Sequence, residues 1–150
     1  MEYEFDSSNP RQTEQVAEQV ASQLKGGEVI ELAGDVGAGK TTFVRGLARG
    51  MGSQDRVSSP TFTISKVYNS KKLALHHFDF YRLDDLEIVK KQLAETTSDP
   101  KNSVVLEWAD AVRGALGIDH MKVKITVTGD NSRTLKFMIP PSYKHIRIKQ

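Results

Sequence analysis

Apolar residues in this chain recur with two different periods, and the switches between them mark out the elements. Tyr3 and Phe5 alternate with acids and predict a short first strand. Asn9-Pro10 then opens a helix, Asn as cap and Pro at the first helical position, with Val16, Ala17, Val20, Ala21 and Leu24 on one face and Gly26-Gly27 ending it. Residues 28–33 read as a strand, and residues 42–51 as a helix with Phe43 and Leu47 on its apolar side. A connection over 50–55 and a turn at Ser59-Pro60 lead to a strand over 62–68 and a hairpin-like turn at Asn69-Ser70-Lys71-Lys72. A strand over 73–80 follows. Asp84-Asp85 caps a helix that faces inward through Leu86, Val89 and Leu93, and residues 96–102 read as a polar loop. Val104-Val105-Leu106, apolar on both faces, fits a buried central strand ending at Glu107-Trp108, and 109–116 reads as a short helix. Val123, Ile125 and Val127, and then Leu135, Phe137 and Ile139, alternate on either side of Gly129-Asp130-Asn131-Ser132, which is an antiparallel hairpin. The pattern defines an α/β fold whose mixed sheet is parallel in the middle and antiparallel toward the C-terminus.

The junction between the second strand and the second helix carries chemistry. Gly34-Asp35-Val36-Gly37-Ala38-Gly39-Lys40-Thr41-Thr42 fits G-x-x-x-x-G-K-[ST], the phosphate loop of P-loop NTPases. Glycines let backbone N–H groups approach phosphate oxygens, and the helix N-terminus adds a positive field. Lys40 can reach the β- and γ-phosphates, and the Thr41 hydroxyl can ligate Mg²⁺. The expected fold is therefore the P-loop three-layer sandwich, with ATP and Mg²⁺ as cofactors. In such folds a second carboxylate stands at the end of a neighbouring strand. Asp79 and Glu107 both qualify, each able to hold a metal-bound water or act as base. Hydroxyls of Ser59, Thr61 and Thr63, in a loop before a strand, can contact a γ-phosphate or metal. A lone histidine near a strand end, such as His77, is more often structural than catalytic. Trp108 either covers the nucleotide site or fills core.

Composition narrows the setting. At 150 residues the chain fits a single domain. With no cysteine it has neither disulfides nor thiol catalysis. An acidic N-terminus without an apolar run, and no stretch near the ~18 apolar residues of a membrane span, lead to the expectation of a cytoplasmic protein with no membrane partner. The net charge of +2 is uneven, because five Lys/Arg and no acid follow residue 130. The basic tail over about 142–150 is read either as a solvated segment or as a surface for RNA phosphates or an acidic partner.

Four motifs in order resemble the TsaE (YjeE) family. The phosphate loop continuing through Phe43, Arg45, Gly46 and Leu47 is similar to the family's G-D-L-G-A-G-K-T-T-F-x-R-G-L. Ser59-Pro60-Thr61-Phe62-Thr63 resembles its S-P-T-F-T, His77-Phe78-Asp79-Phe80-Tyr81-Arg82-Leu83 its H-x-D-x-Y-R-L, and Leu106-Glu107-Trp108 its I-E-W. The resemblance implies a small ATPase that acts with the TsaD and TsaB proteins in threonylcarbamoylation of adenosine 37 of tRNAs reading codons that begin with A. It implies that Lys40 and residues 35–42 (Asp35, Val36, Gly37, Ala38, Gly39, Thr41 and Thr42 among them) hold phosphates. Thr41 and Glu107 would bind Mg²⁺, Asp79 and Thr61 support catalysis, and Thr13 and Arg133 lie near the nucleotide. Beyond Trp108 the chain departs from the family's E-W-P-E-R, since Arg113 is displaced. Two other readings use the same loop, a small-molecule kinase and a nucleotide-dependent binding module with little turnover. A GTPase is disfavoured because no N-K-x-D segment exists.

Overall fold

In a computed structural model, residues 1–60, 65–80, 85–109 and 119–150 are described. They form one seven-stranded sheet and three α-helices: β1 (Glu2–Ser7), α1 (Pro10–Ala21), β2 (Val29–Ala33), α2 (Lys40–Gly50), β3 (Ser65–Asn69), β4 (Ala74–Asp79), α3 (Leu86–Ser98), β5 (Asn102–Glu107), β6 (Met121–Val127) and β7 (Arg133–Met138). The strand order is β1-β7-β6-β2-β5-β4-β3. The centre is parallel, with β2 between β5 and β6 and β4 beside β5. Both ends are antiparallel. The hairpin expected at the C-terminus is β6–β7, and β1 completes it by pairing Tyr3 with Phe137 and Phe5 with Leu135.

Two cores follow from the two faces of the central strands. Ile30, Leu32, Leu75, Val105 and Val123 face α1 and α2, while Val29, Phe78, Val104 and Leu106 gather with Val89 and Leu93 of α3. That makes three layers, helices–sheet–helix. Asn9 caps α1 by accepting from the Gln12 N–H, and Asp85 caps α3 by accepting from the Glu87 and Ile88 N–H groups.

Several expected boundaries move. α1 ends at Ala21, so Leu24 enters the core from the turn after the helix rather than from its face. α3 runs to Ser98 instead of giving way to a loop at 96, with the Thr96, Thr97 and Ser98 hydroxyls bonded back to the carbonyls of Gln92, Ala94 and Glu95. α2 starts at Lys40, two residues early, because Gly39 takes φ 106° and lets the helix begin directly from the loop. The expected strand over 62–68 is seen from Ser65, and the expected helix over 109–116 lies outside the described residues save for buried Ala109.

The basic C-terminal segment is not a free solvated tail. Ile146 and Ile148 are buried in the core under α1, while Lys144, Arg147 and Lys149 stay exposed. Gln23 bonds the Arg147 backbone in both directions, and Gln19 accepts from the Lys149 N–H. At the amino edge of the sheet, buried Glu28 accepts from the Lys25 and Gly26 N–H groups and the Ser103 hydroxyl, and pairs with His145 at 3.2 Å. Burial pushes the Glu28 carboxyl up, but these hydrogen bonds outweigh it and hold the group below its ordinary value. A carboxyl depressed in the folded state adds stability above its unfolded value, and that stability is lost as pH falls through the folded value. Glu28→Gln should therefore lower Tm at pH 7, and its deficit against the native protein should shrink as both are acidified below about pH 4. Thermal melts across that range test this, and a deficit independent of pH would refute it.

The α1–α2 contact explains a second motif. A Cβ on Gly46 would stand 2.4 Å from the Glu14 carbonyl oxygen and 2.7 Å from the Ala17 Cβ. The helices touch backbone to backbone there, so a larger residue must force them apart. Gly46→Val is expected to cost about 3 kcal/mol, or ~10 °C in Tm. A melt within about 2 °C of the native protein would show that the helices can separate freely.

Candidate active site

The carboxyl ends of β2, β4 and β5 converge on a cavity of about 440 Å³ lined by Val36, Gly37, Gly39, Lys40, Thr41, Thr42, Ser59, Asp79, Glu107 and Trp108. Parallel register explains the pairing of the acids: Asp79 stands opposite Glu107 as the last residues of β4 and β5. Alternation puts both on the α2 side of the sheet, where the loop lies. Glu107 is 3% exposed and bonds His77 Nε2 through Oε2 at 2.7 Å.

Lys40 is buried. Its Nζ donates to the Gly34 carbonyl at 2.6 Å and stands 4.0 Å from the centre of the Trp108 ring. Burial pulls its pKa down, against the opposing pull of Glu107, Asp79 and Asp35. Trp108 has φ 56°, and it is the only non-glycine residue with positive φ among those described. Such a backbone costs on the order of 1 kcal/mol or more and turns the ring over the lysine directly after the strand ends. The sequence left Trp108 between core and site; in the structure it lies over Lys40 at the cavity and also packs against the second core.

Thr13 and Arg133 both reach the loop. Thr13, buried on α1, lies 2.7 Å from the Ser7 hydroxyl and shares a cavity of about 60 Å³ with Gly39, Thr42 and Arg133. Arg133 donates to the Ala38 carbonyl at 2.9 Å and to that of Gly37 at 3.3 Å. A peptide group is planar with C=O and N–H opposed, so turning the Ala38 carbonyl toward Arg133 turns the Gly39 N–H away from it. Asp35 and Ala38 line a second cavity of about 490 Å³, with Trp108, Glu31, Lys124 and Thr126. That cavity includes neither Lys40 nor Thr41. Thr61, Thr63 and Arg113 lie outside the described residues. Pairing of His77 with Glu107 escaped the sequence reading, although the alternation Leu75, His77, Asp79 in β4 already put the histidine on the acids' side.

The donor set fits Mg²⁺. Glu107, Asp79 and the Thr41 hydroxyl offer hard oxygens at one cavity, and no cluster of three or more His, Cys, Asp or Glu side chains able to hold a metal by itself occurs among the described residues. Magnesium is held in that way, by one or two carboxylates together with substrate phosphates. No helix among the described residues is long and apolar enough to cross a membrane.

Sheet order, loop and acid positions define an α/β protein of the P-loop NTPase type. The profile of the family "Threonylcarbamoyl adenosine biosynthesis protein TsaE" matches residues 7–135, and the chain belongs to that family. It is 40% identical over 129 residues to the tRNA threonylcarbamoyladenosine biosynthesis protein TsaE of Bacillus subtilis, covering 86% of this chain and 80% of that one. It is 37% identical over 116 residues to the TsaE protein of Treponema pallidum, covering 77% and 85%. The crystal structure of Bacillus subtilis YdiB superposes with a TM-score of 0.80 at 33% identity, covering 97% of this chain and 91% of that one.

Proposed function

We propose that this chain is a Mg²⁺-dependent ATPase that serves threonylcarbamoylation of adenosine 37 in tRNAs reading codons beginning with A, acting in the cytoplasm with the TsaD–TsaB pair. The observation that carries the reading is the convergence of Lys40, Thr41, Asp79 and Glu107 on one cavity in a chain of the TsaE family. Lys40 exchanges the Gly34 carbonyl for phosphate oxygens, and loop N–H groups hold the remaining charge. When bound, Mg²⁺ would neutralise charge on the nucleotide phosphates. Thr41 and Glu107 would hold that ion, Asp79 would orient the attacking water, and Thr61 would support catalysis. Thr13 and Arg133 border the nucleotide. Arg133 gives its donors to loop carbonyls. Turnover is slow until partner proteins complete the site.

The test is Mg²⁺-dependent ATP turnover by the purified protein, alone and then with TsaB, TsaD and tRNA. Stimulation by the partners with ATP preferred over GTP is the expected result. Transfer of phosphate to a small metabolite, with no stimulation, would replace this reading with a kinase. Tight nucleotide binding without turnover in either setting would make the chain a binding module.

A further inference from the structure

His77 is fully buried, and one ring nitrogen, Nε2, meets the Glu107 carboxylate at 2.7 Å. The other, Nδ1, is buried with no hydrogen-bond partner among the described residues. The Tyr68 ring stands with its centre 6.3 Å away. Burying a polar nitrogen unsatisfied costs about 1–3 kcal/mol, so an apolar side chain would serve the core better at this position. Among the described residues, what the histidine adds over an apolar residue is one polar contact, and that contact is to the Glu107 carboxylate at the mouth of the phosphate loop. The register explains how it reaches: His77 lies opposite Val105, one pleat before the Asp79–Glu107 pair, and its diagonal neighbour on the same face is Glu107.

We propose that His77 is a positioning residue for the site. Its Nε2–H holds Oε2 of Glu107 in one rotamer, which leaves Oε1 as the oxygen offered to the cavity. Ligand carboxylates are commonly fixed in this way by hydrogen bonds from a second side chain, and loss of such a bond weakens metal affinity 10- to 100-fold. The proposal rests on the reading of the cavity as a Mg²⁺–nucleotide site, and the experiment separates the two.

Mn²⁺ binding to the protein loaded with a non-hydrolysable ATP analogue, followed by electron paramagnetic resonance, gives a readout independent of turnover. His77→Leu is expected to weaken Mn²⁺ about 10- to 100-fold while nucleotide affinity measured in EDTA stays unchanged. His77→Gln, whose amide N–H can occupy the place of Nε2, is expected to return Mn²⁺ affinity to within about threefold of the native protein. Folded His77→Leu with native Mn²⁺ affinity, or a glutamine variant no better than leucine, would overturn the role of His77 alone. Native protein that takes up no Mn²⁺ with the analogue would overturn the nucleotide reading and this role with it. Nitrogen-15 NMR of the native free protein tests the hydrogen bond without any variant. The proton is expected on Nε2, and a proton on Nδ1 with Nε2 bare would refute the proposal.

Discussion

Lys40→Ala is expected to weaken ATP binding about 100-fold while the fold is kept. Charge-assisted hydrogen bonds to phosphate contribute about 1.5–3 kcal/mol each, and a lysine at this position can make two. Against that, Lys40 gives up the Gly34 carbonyl and the face of Trp108 on binding, contacts worth together about 2–3 kcal/mol. Taken at the upper end of both ranges the difference is ~3 kcal/mol, which corresponds to about two orders of magnitude in Kd. Stability behaves differently from affinity. An amine whose folded pKa lies below its unfolded value costs stability while it is charged, and the cost disappears as pH rises past the unfolded value. Burial lowers the pKa of Lys40, so the native protein should gain on the alanine variant as pH is raised from neutral to alkaline. Calorimetric titration with ATP and melts at two pH values check both parts. Native ATP affinity in the alanine variant would remove the basis for a phosphate site.

Glu107→Gln is expected to lower Mg²⁺-dependent turnover about 10³-fold, the scale on which a positioned carboxylate acts on a reacting water or its metal. Nucleotide binding without metal should survive, because Lys40 and the loop are untouched. So should the fold: the amide oxygen can still accept from His77, and a 3% exposed charge has been removed from a buried position. Asp79→Asn is the comparison that assigns roles. Should the asparagine variant need more Mg²⁺ while the glutamine variant does not, Asp79 is the metal ligand and Glu107 the group on water. Steady-state turnover against Mg²⁺ concentration decides between them.

Much of this is legible in the sequence. The phosphate loop announced itself because its chemistry is local: nine consecutive residues, with a strand before and a helix after, suffice to specify it. The apolar run Val104-Val105-Leu106 fixed β5 as a central strand, and an acid directly after three buried residues pointed to Glu107. Helix ends were less legible. The stretch 96–98 reads as loop by residue type, because Ser and Thr offer the backbone alternatives to a helix, yet it continues α3. The tail read as solvated because its charges are obvious. Its two isoleucines, alternating with Arg147 and Lys149, are the signal that it packs.

What the sequence determined by itself is what neighbours in the chain decide: alternation, helical faces, caps and the glycine-rich loop between β2 and α2. The tertiary structure decided what depends on partners far apart in sequence. It put Arg133 onto carbonyls 95 and 96 residues upstream, through a strand order that brings β7 and its turn beside the loop. It set His77 against Glu107, 30 residues away, through the parallel register of β4 on β5. It also laid the Trp108 ring over Lys40 by a backbone turn that no composition signal encodes. A pairing register carries no mark in either strand alone, because it is fixed by the burial of both faces together.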